Sequence, residues 1–341
     1  MPVQIQPLPG HVTVVRIARA GGPEVLEVVE RRMPIPGPDE VLIAVAAAGI
    51  NNADALQRSG FYVSSIVRPD VPGLEVSGVV RATGADVRDV AVGDRVCALV
   101  NGGGYASHCI APAGQVLPAP ASMPLAHAAG LPEGLFTAYS NLYDFGRLEA
   151  GQTLLIHGGA SGLGTLAIQL ANARGARVLT TAGTDARCAA CLSLGAEAAI
   201  NHRTQDFVVE IDRLTGGRGV DVVLDMVGGS YVMRNVRCLA RGGRIVNVAY
   251  QEGAQVDVDF AELQRRDGAF VATMLRPKSA GEKARIAVAL RERVWQLLDA
   301  GRIRPVIAGE FALRDAAVAH RAFEDERPLG KLLLVAEPAM T

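Results

Sequence analysis

The sequence predicts an α/β protein with two domains, one β-rich and one built on a doubly wound parallel sheet. Its 341 residues exceed an ordinary single domain and suit two domains with large cores. Short strand-like runs fill the first third, whereas strand-like and helix-like runs alternate from about residue 152. Glycine is frequent, with 38 residues, and only 4% of residues are aromatic, which is typical of small-residue elements joined by tight turns.

The β-rich part is indicated by strand-like runs that turn signals separate. The runs are residues 12–17, 25–29, 41–47, 76–80, 95–100 and 105–110. Proline and glycine clusters, such as residues 34–38 and 92–94, interrupt them. Short strands with few helices between them predict an antiparallel, barrel-like domain.

The second part starts with the apolar strand at residues 153–157, followed by a glycine-rich turn and a helix-period stretch. Leu163, Leu166, Ala167 and Leu170 fall on one face of that stretch, as in a helix that covers a sheet. Further strands are predicted at residues 176–181, 198–200, 220–226 and 244–249. This alternation predicts a doubly wound parallel sheet. The tail, with a helix at 286–298 and strands at 306–311 and 331–335, is expected to return to the first part.

Composition excludes several classes of protein. Lysine and arginine total 34 against 35 acidic residues, so no strong basic field favours nucleic acid as the main partner. The longest apolar run, residues 41–50, is half of the roughly 20 residues that span a bilayer. The first 30 residues lack the features of a secretory signal. We therefore expect a cytoplasmic protein.

Cysteines and histidines show no pattern of metal ligands or disulfides. Five cysteines are an odd number, spread thinly along the chain, which favours reduced thiols. Cys188 and Cys191 lie in a predicted helix without a second cysteine pair nearby, so packing explains them better than redox chemistry. His157 is assigned to the end of its strand.

A candidate dinucleotide loop follows the strand at 153–157. It consists of Gly159, Ala160, Ser161, Gly162, Leu163 and Gly164. The loop lies where a strand ends and a helix begins, a place where backbone N–H groups and the helix dipole favour a pyrophosphate. The motif is an imperfect G-x-G-x-x-G, because Ser161 takes the middle glycine position. A tight strand-to-helix turn without a ligand is the alternative interpretation.

The end of the second Rossmann-type strand indicates which dinucleotide binds. About 20 residues past the loop stands Thr184, where an NAD-specific site carries an acid. Donors at Gly183 and Thr184, with the guanidinium groups of Arg187 and Arg203, suit a 2′-phosphate. Asp185 counts against this interpretation, and Arg187 could be a solvated helix arginine. The balance favours NADP(H) over NAD(H).

Several ordered motifs carry a resemblance over essentially the whole chain. They are residues 49–62, 72–78, 93–96, 102–106, 225–229, 275–277 and 330–331, together with the glycine loop. In these motifs the chain resembles the zinc-independent quinone oxidoreductases of the medium-chain dehydrogenase/reductase superfamily. It looks most like the branch of zeta-crystallin and the tumour-suppressor-inducible quinone oxidoreductases.

The resemblance implies a GroES-like catalytic domain at 1–130 and 270–341 and an NADP-binding Rossmann domain at 131–269. It also implies a homodimer. Zinc-dependent alcohol dehydrogenases of the superfamily hold their catalytic metal with a Cys, the His of Gly-His-Glu and a later Cys. Here Asn51 and Leu74 occupy the first two of these positions, so the ligands of a catalytic zinc are missing. Hydride transfer is then expected to proceed without a metal.

The same resemblance assigns site residues. Asn51, Asp54 and Tyr62 are the candidate catalytic residues. Asn51 could instead bond to the backbone of its own loop, and Asp54 could cap a helix. For Tyr62 the alternative is ordinary packing at the edge of the domain. Besides the loop and the residues at 183, 184 and 187, the resemblance assigns cofactor contacts to Thr137, His202, Tyr250, Leu275 and Lys331. His202 replaces a tyrosine that is common in the family.

We therefore expect an enzyme that moves a hydride from NADPH to a small-molecule quinone or another conjugated carbonyl compound. Two alternative functions remain open. One is a 2-enoyl thioester reductase, which would use a similar cleft. The other is a nucleotide-binding protein with weak catalysis and RNA affinity, although the balanced charge argues against strong RNA binding.

Overall fold

The computed structural model describes residues 10–62 and 69–336. These residues form two compact units. The first comprises the described residues up to Phe136, Arg276–Gly301 and those from Pro305 onward; the second comprises Thr137–Leu275 with residues 302–304. Among the described residues, no helix is long and apolar enough to cross a membrane.

Fifteen strands are present in the described part of the chain. They are β1 (His11–Ile17), β2 (Leu26–Arg32), β3 (Glu40–Gly49), β4 (Glu75–Thr83), β5 (Arg95–Leu99), β6 (His108–Pro112), β7 (Val116–Pro118), β8 (Thr153–Ile156), β9 (Arg177–Ala182), β10 (Ala198–Asn201), β11 (Val220–Asp225), β12 (Leu239–Asn247), β13 (Ala269–Ala272), β14 (Ile307–Ala312) and β15 (Lys331–Val335).

The same ranges contain ten α-helices, four short 3-10 turns and one π-helix. The α-helices are α1 (Asn52–Ser59), α2 (Pro132–Tyr139), α3 (Gly162–Ala173), α4 (Asp185–Ser193), α5 (Phe207–Thr215), α6 (Tyr231–Cys238), α7 (Phe260–Arg265), α8 (Ala280–Arg293), α9 (Trp295–Asp299) and α10 (Ala316–Glu326). The 3-10 turns are Pro23–Val25, Ala113–Gln115, Ala126–Gly130 and Leu313–Asp315, and the π-helix is Ser140–Phe145.

The first unit is built on a seven-stranded sheet in the order β14-β15-β3-β4-β5-β7, with β6 also paired to β3. All of its pairs are antiparallel except β14 with β15. β15 pairs with β3 through Leu333 opposite Gly49 and Leu334 opposite Ala48, so the tail completes the sheet. Buried valine, isoleucine and leucine side chains of these strands form the main core of the unit.

The second unit is a six-stranded sheet in the order β10-β9-β8-β11-β12-β13, and every pair is parallel. This confirms the doubly wound fold class. β8 lies between β9 and β11. The chain runs from β8 to β9 and β10 on one side, and then returns to β11, β12 and β13 on the other side of β8. Ligands of such sheets bind beyond the carboxyl ends of the strands at that reversal. The glycine-rich turn between β8 and α3 occupies this position.

One predicted element was wrong in its extent. The single helix expected at 286–298 is two helices, α8 and α9, which Val294 separates. α8 starts earlier than predicted because Ser279 and Glu282 form a capping box. After the break, the indole N–H of Trp295 donates to the carbonyl of Pro118 at 3.0 Å, a contact that helps hold the helix against the sheet.

Candidate active site

The loop between β3 and α1 carries the first predicted catalytic residue, Asn51. Asp54, in the first turn of α1, accepts hydrogen bonds from the backbone N–H groups of Asn51 and Gly73, both at 2.9 Å. Burial raises the pKa of Asp54 to about 6, although these N–H groups and the charges of Arg276 and Lys331 oppose the shift. Asp54 therefore joins two loops through its two carboxylate oxygens, which is a positioning function.

A line of buried side chains extends from Asp54 to helix α10. The Tyr105 hydroxyl lies 3.4 Å from Asp54 Oδ2 and 3.0 Å from His320 Nε2. Arg58 Nη1 lies 3.2 Å from His320 Nδ1, and Arg58 Nη2 donates to Glu324 at 2.6 Å. Because arginine can only donate, His320 accepts at Nδ1 and carries its proton on Nε2. Burial lowers the pKa of His320 to about 3, so the ring is neutral, and the donors of Arg58 Nη1, His320 Nε2 and the Tyr105 hydroxyl are directed in turn toward Asp54.

The side chain of Asn51 belongs to a second buried cluster, with Glu75 and Lys331. Its Nδ2 donates to Glu75 Oε1 at 2.9 Å, and its Oδ1 accepts from the Lys331 ammonium group. Lys331 also donates to Glu75 Oε1 at 2.5 Å. Glu75 is fully buried and Lys331 is 4% exposed. The cluster holds both ends of the Asn51 amide in one orientation.

Tyr62, the third predicted catalytic residue, lies beside Arg276. The guanidinium carbon of Arg276 is 5.0 Å from the centroid of the phenol ring, within the range of a cation–π contact. Burial raises the pKa of Tyr62, and the charge of Arg276 opposes part of this shift. The phenol is therefore protonated at neutral pH and can donate a hydrogen bond or a proton.

In the second unit, the glycine loop is held tightly between β8 and α3. Ser161 caps α3 by accepting the N–H of Gly164 at 3.0 Å. A Cβ at Gly159 would lie 2.1 Å from Thr180 Oγ1, and a Cβ at Gly164 would lie 2.3 Å from the carbonyl oxygen of Gly158. Only glycine fits these two positions. Ala160 in the turn is buried, and Gly162 and Leu163 at the start of α3 are half-buried.

His157, which precedes the loop, is structural. Its Nε2 donates to Asn235 at 2.7 Å, and its Nδ1 lies 3.1 Å from the Thr181 hydroxyl. The ring packs edge-on against Phe207 and Tyr231. Burial lowers the pKa of His157 to about 4, so it fixes the end of β8 as a neutral side chain.

The residues predicted to bind the 2′-phosphate come from the ends of β9 and β10. A Cβ at Gly183 would lie 3.3 Å from His202 Nε2 and 3.6 Å from Arg203 Nε. Burial and the charge of Arg203 lower the pKa of His202. The structure thus brings these three residues together around one exposed corner of the sheet.

Helix α4 starts at the same corner. Thr184 caps it by accepting the N–H of Arg187 at 3.3 Å, and the Arg187 side chain is half-buried. The carboxylate of Asp185, the residue that counted against NADP(H), accepts a hydrogen bond from Asn201 Nδ2 at 2.6 Å. Asp185 is therefore held by a residue of β10.

The turn after β11 packs on the glycine loop. Asp225 accepts the N–H groups of Val227 and Gly228, and Met226 Sδ lies 3.7 Å from the Ser161 hydroxyl. Tyr250, 44% exposed, lies against this turn, because a Cβ at Gly228 would be 3.0 Å from its Cα.

Thr137 and Leu275 stand at the two ends of the second unit. Thr137 is buried, and its carbonyl accepts Asn141 Nδ2 at 2.7 Å, where the π-helix follows α2. Leu275 is half-buried, two residues after Thr273, whose hydroxyl donates to Asn141 at 2.5 Å. The segments of both residues therefore meet at Asn141.

Family models match both units. The alcohol dehydrogenase GroES-like domain matches residues 37–121, and the zinc-binding dehydrogenase domain matches residues 162–285. The quinone oxidoreductase of Sus scrofa is 31% identical over 327 residues, which cover 95% of this chain and 98% of the relative. The chain belongs to the quinone oxidoreductase family. The human quinone oxidoreductase is 30% identical over 94% of this chain and 97% of its own length.

Solved structures of this family share the fold throughout. The Escherichia coli quinone oxidoreductase in complex with NADPH superposes with a TM-score of 0.83 and 30% identity, covering 95% of this chain and 99% of that one. Across the described ranges of the present family member, no group of three or more His, Cys, Asp or Glu residues could hold a metal ion.

Sequence reasoning missed several residues of the candidate site. Tyr105, Arg58 and His320 gave no local signal of a function, because their partners lie far away along the chain, and Glu75 was missed as well. A charged residue in the apolar start of β4 was the available sign for Glu75. Lys331 was expected near the dinucleotide, and the structure places its ammonium group on Asn51 and Glu75.

The buried Glu75–Lys331 pair leads to a stability prediction. Glu75→Gln should lower the free energy of unfolding by about 3–5 kcal/mol, because it leaves the Lys331 charge buried without a counter-ion. Combining it with Lys331→Met should recover most of that loss. Urea denaturation measures both variants. The control is Glu197→Gln, which breaks an exposed pair with Arg177 and should cost less than about 1 kcal/mol. Equal costs for Glu75→Gln and the control would contradict the prediction.

Proposed function

We propose that this protein is an NADPH-dependent quinone oxidoreductase. The observation that carries the proposal is the full-length similarity to quinone oxidoreductases, 31% identity over 95% of the chain, together with a similar structure solved with NADPH. Neither the enoyl thioester reductase nor the RNA-binding alternative is favoured by these relatives.

The glycine loop fits a dinucleotide. A side chain at Gly159 would collide with Thr180 of β9, and one at Gly164 would collide with the backbone of the loop. The N-terminus of α3 lies at the reversal of the sheet, where backbone N–H groups can bind a phosphate. The loop from Gly159 to Gly164 would hold the pyrophosphate, and Gly183, Thr184, Arg187 and His202 would hold the adenosine phosphate. Thr137, Tyr250 and Leu275 are proposed to border the rest of the dinucleotide. When bound, NADPH supplies the hydride and its electron pair.

The residues of the first unit orient the acceptor and stabilise charge. Asn51 is held through its backbone N–H by Asp54 and through its amide by Glu75 and Lys331. Two of the three ammonium N–H groups of Lys331 go to this cluster, which leaves one for the dinucleotide. Tyr62, protonated at neutral pH, is the proposed donor to the developing oxyanion of the acceptor. Asp54 acts as a positioning residue.

The catalytic domain would comprise 1–130 and 270–341, and the cofactor domain 131–269. A homodimer is supported by β13, the last strand in the order of the parallel sheet, where Phe270 is 41% exposed. The protein is proposed to act in the cytoplasm on quinones or related enones.

The function is tested by steady-state oxidation of NADPH with a panel of benzoquinones and naphthoquinones, and in parallel with 2-enoyl thioesters. We expect turnover with the quinones, because an electron-poor ring accepts a hydride without a metal. Turnover with thioesters alone would overturn the proposal in favour of an enoyl reductase.

Cofactor preference follows from the corner formed by the ends of β9 and β10. NADPH should bind more tightly than NADH in a fluorescence titration. Arg187→Gln should weaken NADPH binding about tenfold or more and leave NADH binding unchanged, since only NADPH carries the 2′-phosphate. Arg213→Gln, which changes an exposed arginine paired with Glu210, is the control. Tighter binding of NADH by the unmodified protein would refute this assignment.

The proton donor is tested by Tyr62→Phe. This change should lower kcat with quinones by about 10- to 100-fold and leave NADPH affinity similar, because the hydroxyl acts mainly in the transition state. Retaining the ring preserves the contact with Arg276. Unchanged steady-state kinetics would remove Tyr62 from the mechanism.

A further inference from the structure

Arg276 is a buried cation with unused hydrogen-bond donors. Its side chain is 6% exposed, and Nη2 donates to the carbonyl of Asn101 at 2.9 Å. Its Nε and Nη1 are buried and have no hydrogen-bond partner among the residues that the structure describes. Unsatisfied buried donors of a charged group are costly, and next to the predicted catalytic groups they suit a negatively charged ligand.

A second buried cation lies next to it. Lys283 is 1% exposed and donates to the carbonyl of Arg276 at 2.8 Å and to Asn101 Oδ1 at 2.5 Å. Burial lowers the pKa of Lys283 to about 8, and the charge of Arg276 adds to the shift. Within residues 10–62 and 69–336, neither cation forms a salt bridge with a carboxylate. Two buried positive charges without a paired anion favour a site for negative charge.

Arg276 lies next to the predicted catalytic residue Tyr62. Its guanidinium carbon lies 5.0 Å from the centroid of the Tyr62 ring, and its charge acts on the pKa of both Tyr62 and Asp54. Asn101 and Lys283 fix the other side of the residue. The unused donors are therefore held in place close to the phenol.

We propose that Arg276 is a catalytic residue that binds the acceptor oxygen and stabilises the negative charge formed on it. Lys283 is a positioning residue, since it holds the Arg276 backbone. The inference rests on the proposed function and adds a residue to it.

A C–H bond forms on the acceptor as the reduced dinucleotide delivers a hydride and is oxidised. The π electron pair of the acceptor moves to its oxygen, which Nε and Nη1 of Arg276 bind as an oxyanion. That oxygen then takes a proton from the Tyr62 hydroxyl, and water reprotonates Tyr62.

The kinetic test uses Arg276→Gln and Arg276→Lys in the full chain. Both should lower kcat with a naphthoquinone by about 100-fold, with little change in KM or in the Kd of NADPH, because a transition-state donor is lost. Lys283→Met should give a smaller loss, about tenfold. Guanidinium chloride below denaturing concentrations should restore part of the kcat of Arg276→Ala, which a merely structural role would not allow.

A binding test does not depend on turnover. The anion of 2-hydroxy-1,4-naphthoquinone, titrated by calorimetry in the presence of NADP⁺, mimics the oxyanion. Its affinity should fall about tenfold or more in Arg276→Gln. Arg174→Gln is the matched control, because Arg174 also stacks on a tyrosine, 4.6 Å from the Tyr143 ring centroid, and also has a buried Nε without a partner among the described residues. It should change neither kcat nor anion affinity.

The outcomes separate this inference from the proposed function. Unchanged kcat and anion affinity in folded Arg276 variants would overturn the role of Arg276. Weaker NADPH binding with unchanged kcat would also overturn it, by making Arg276 a cofactor ligand. If the unmodified protein shows no turnover with any quinone, the proposed function fails, and the anion titration still decides whether Arg276 binds negative charge.

Discussion

The candidate site of the first unit depends on one buried ion pair. Glu75 begins β4 and Lys331 begins β15, and both are almost completely removed from water. Either charge would be strongly destabilising if it were buried alone. The two strands must therefore be in register for the two charges to be buried together. The pairing of β15 with β3 supplies that register. Asn51 then takes its orientation from the pair, because both ends of its amide bind to it.

The second unit reaches its site by a different route, through close backbone packing. The turn between β8 and α3 has almost no room for side chains, and α3 therefore starts close to β9. Its donors are backbone groups, which are fixed once the helix forms. A hydrophobic sheet core holds the strands whose ends surround this turn. The candidate sites of the two units thus depend on different properties: charge balance governs the first and steric volume governs the second.

Features with a local signal were predictable from the sequence. The alternation of strands and helices and the strand–turn–helix position of the glycine loop were read from neighbouring residues, and the structure contains both. The break at Val294 was missed because apolar periodicity continues through it.

The buried polar groups of the first unit could not be predicted in this way. Arg58 and His320 are 262 positions apart, and no period or spacing connects them. The unused donors of Arg276 likewise follow from how Asn101 and Lys283 surround the residue, which only the three-dimensional arrangement shows. The roles of Asn51, Tyr62 and the cofactor residues still rest on the family resemblance and stay predictions.

The distance of Lys331 from Glu75 along the chain also affects the order in which the protein can fold during synthesis. A ribosome makes 256 further residues after Glu75 before the counter-ion appears. The second unit consists mainly of one continuous segment, Thr137–Leu275, and can fold as soon as that segment has emerged. The first unit must wait with an exposed sheet edge and an unpaired carboxylate until β15 arrives. The nascent chain is therefore most prone to aggregation in the interval between completion of the parallel sheet and release of the last strand.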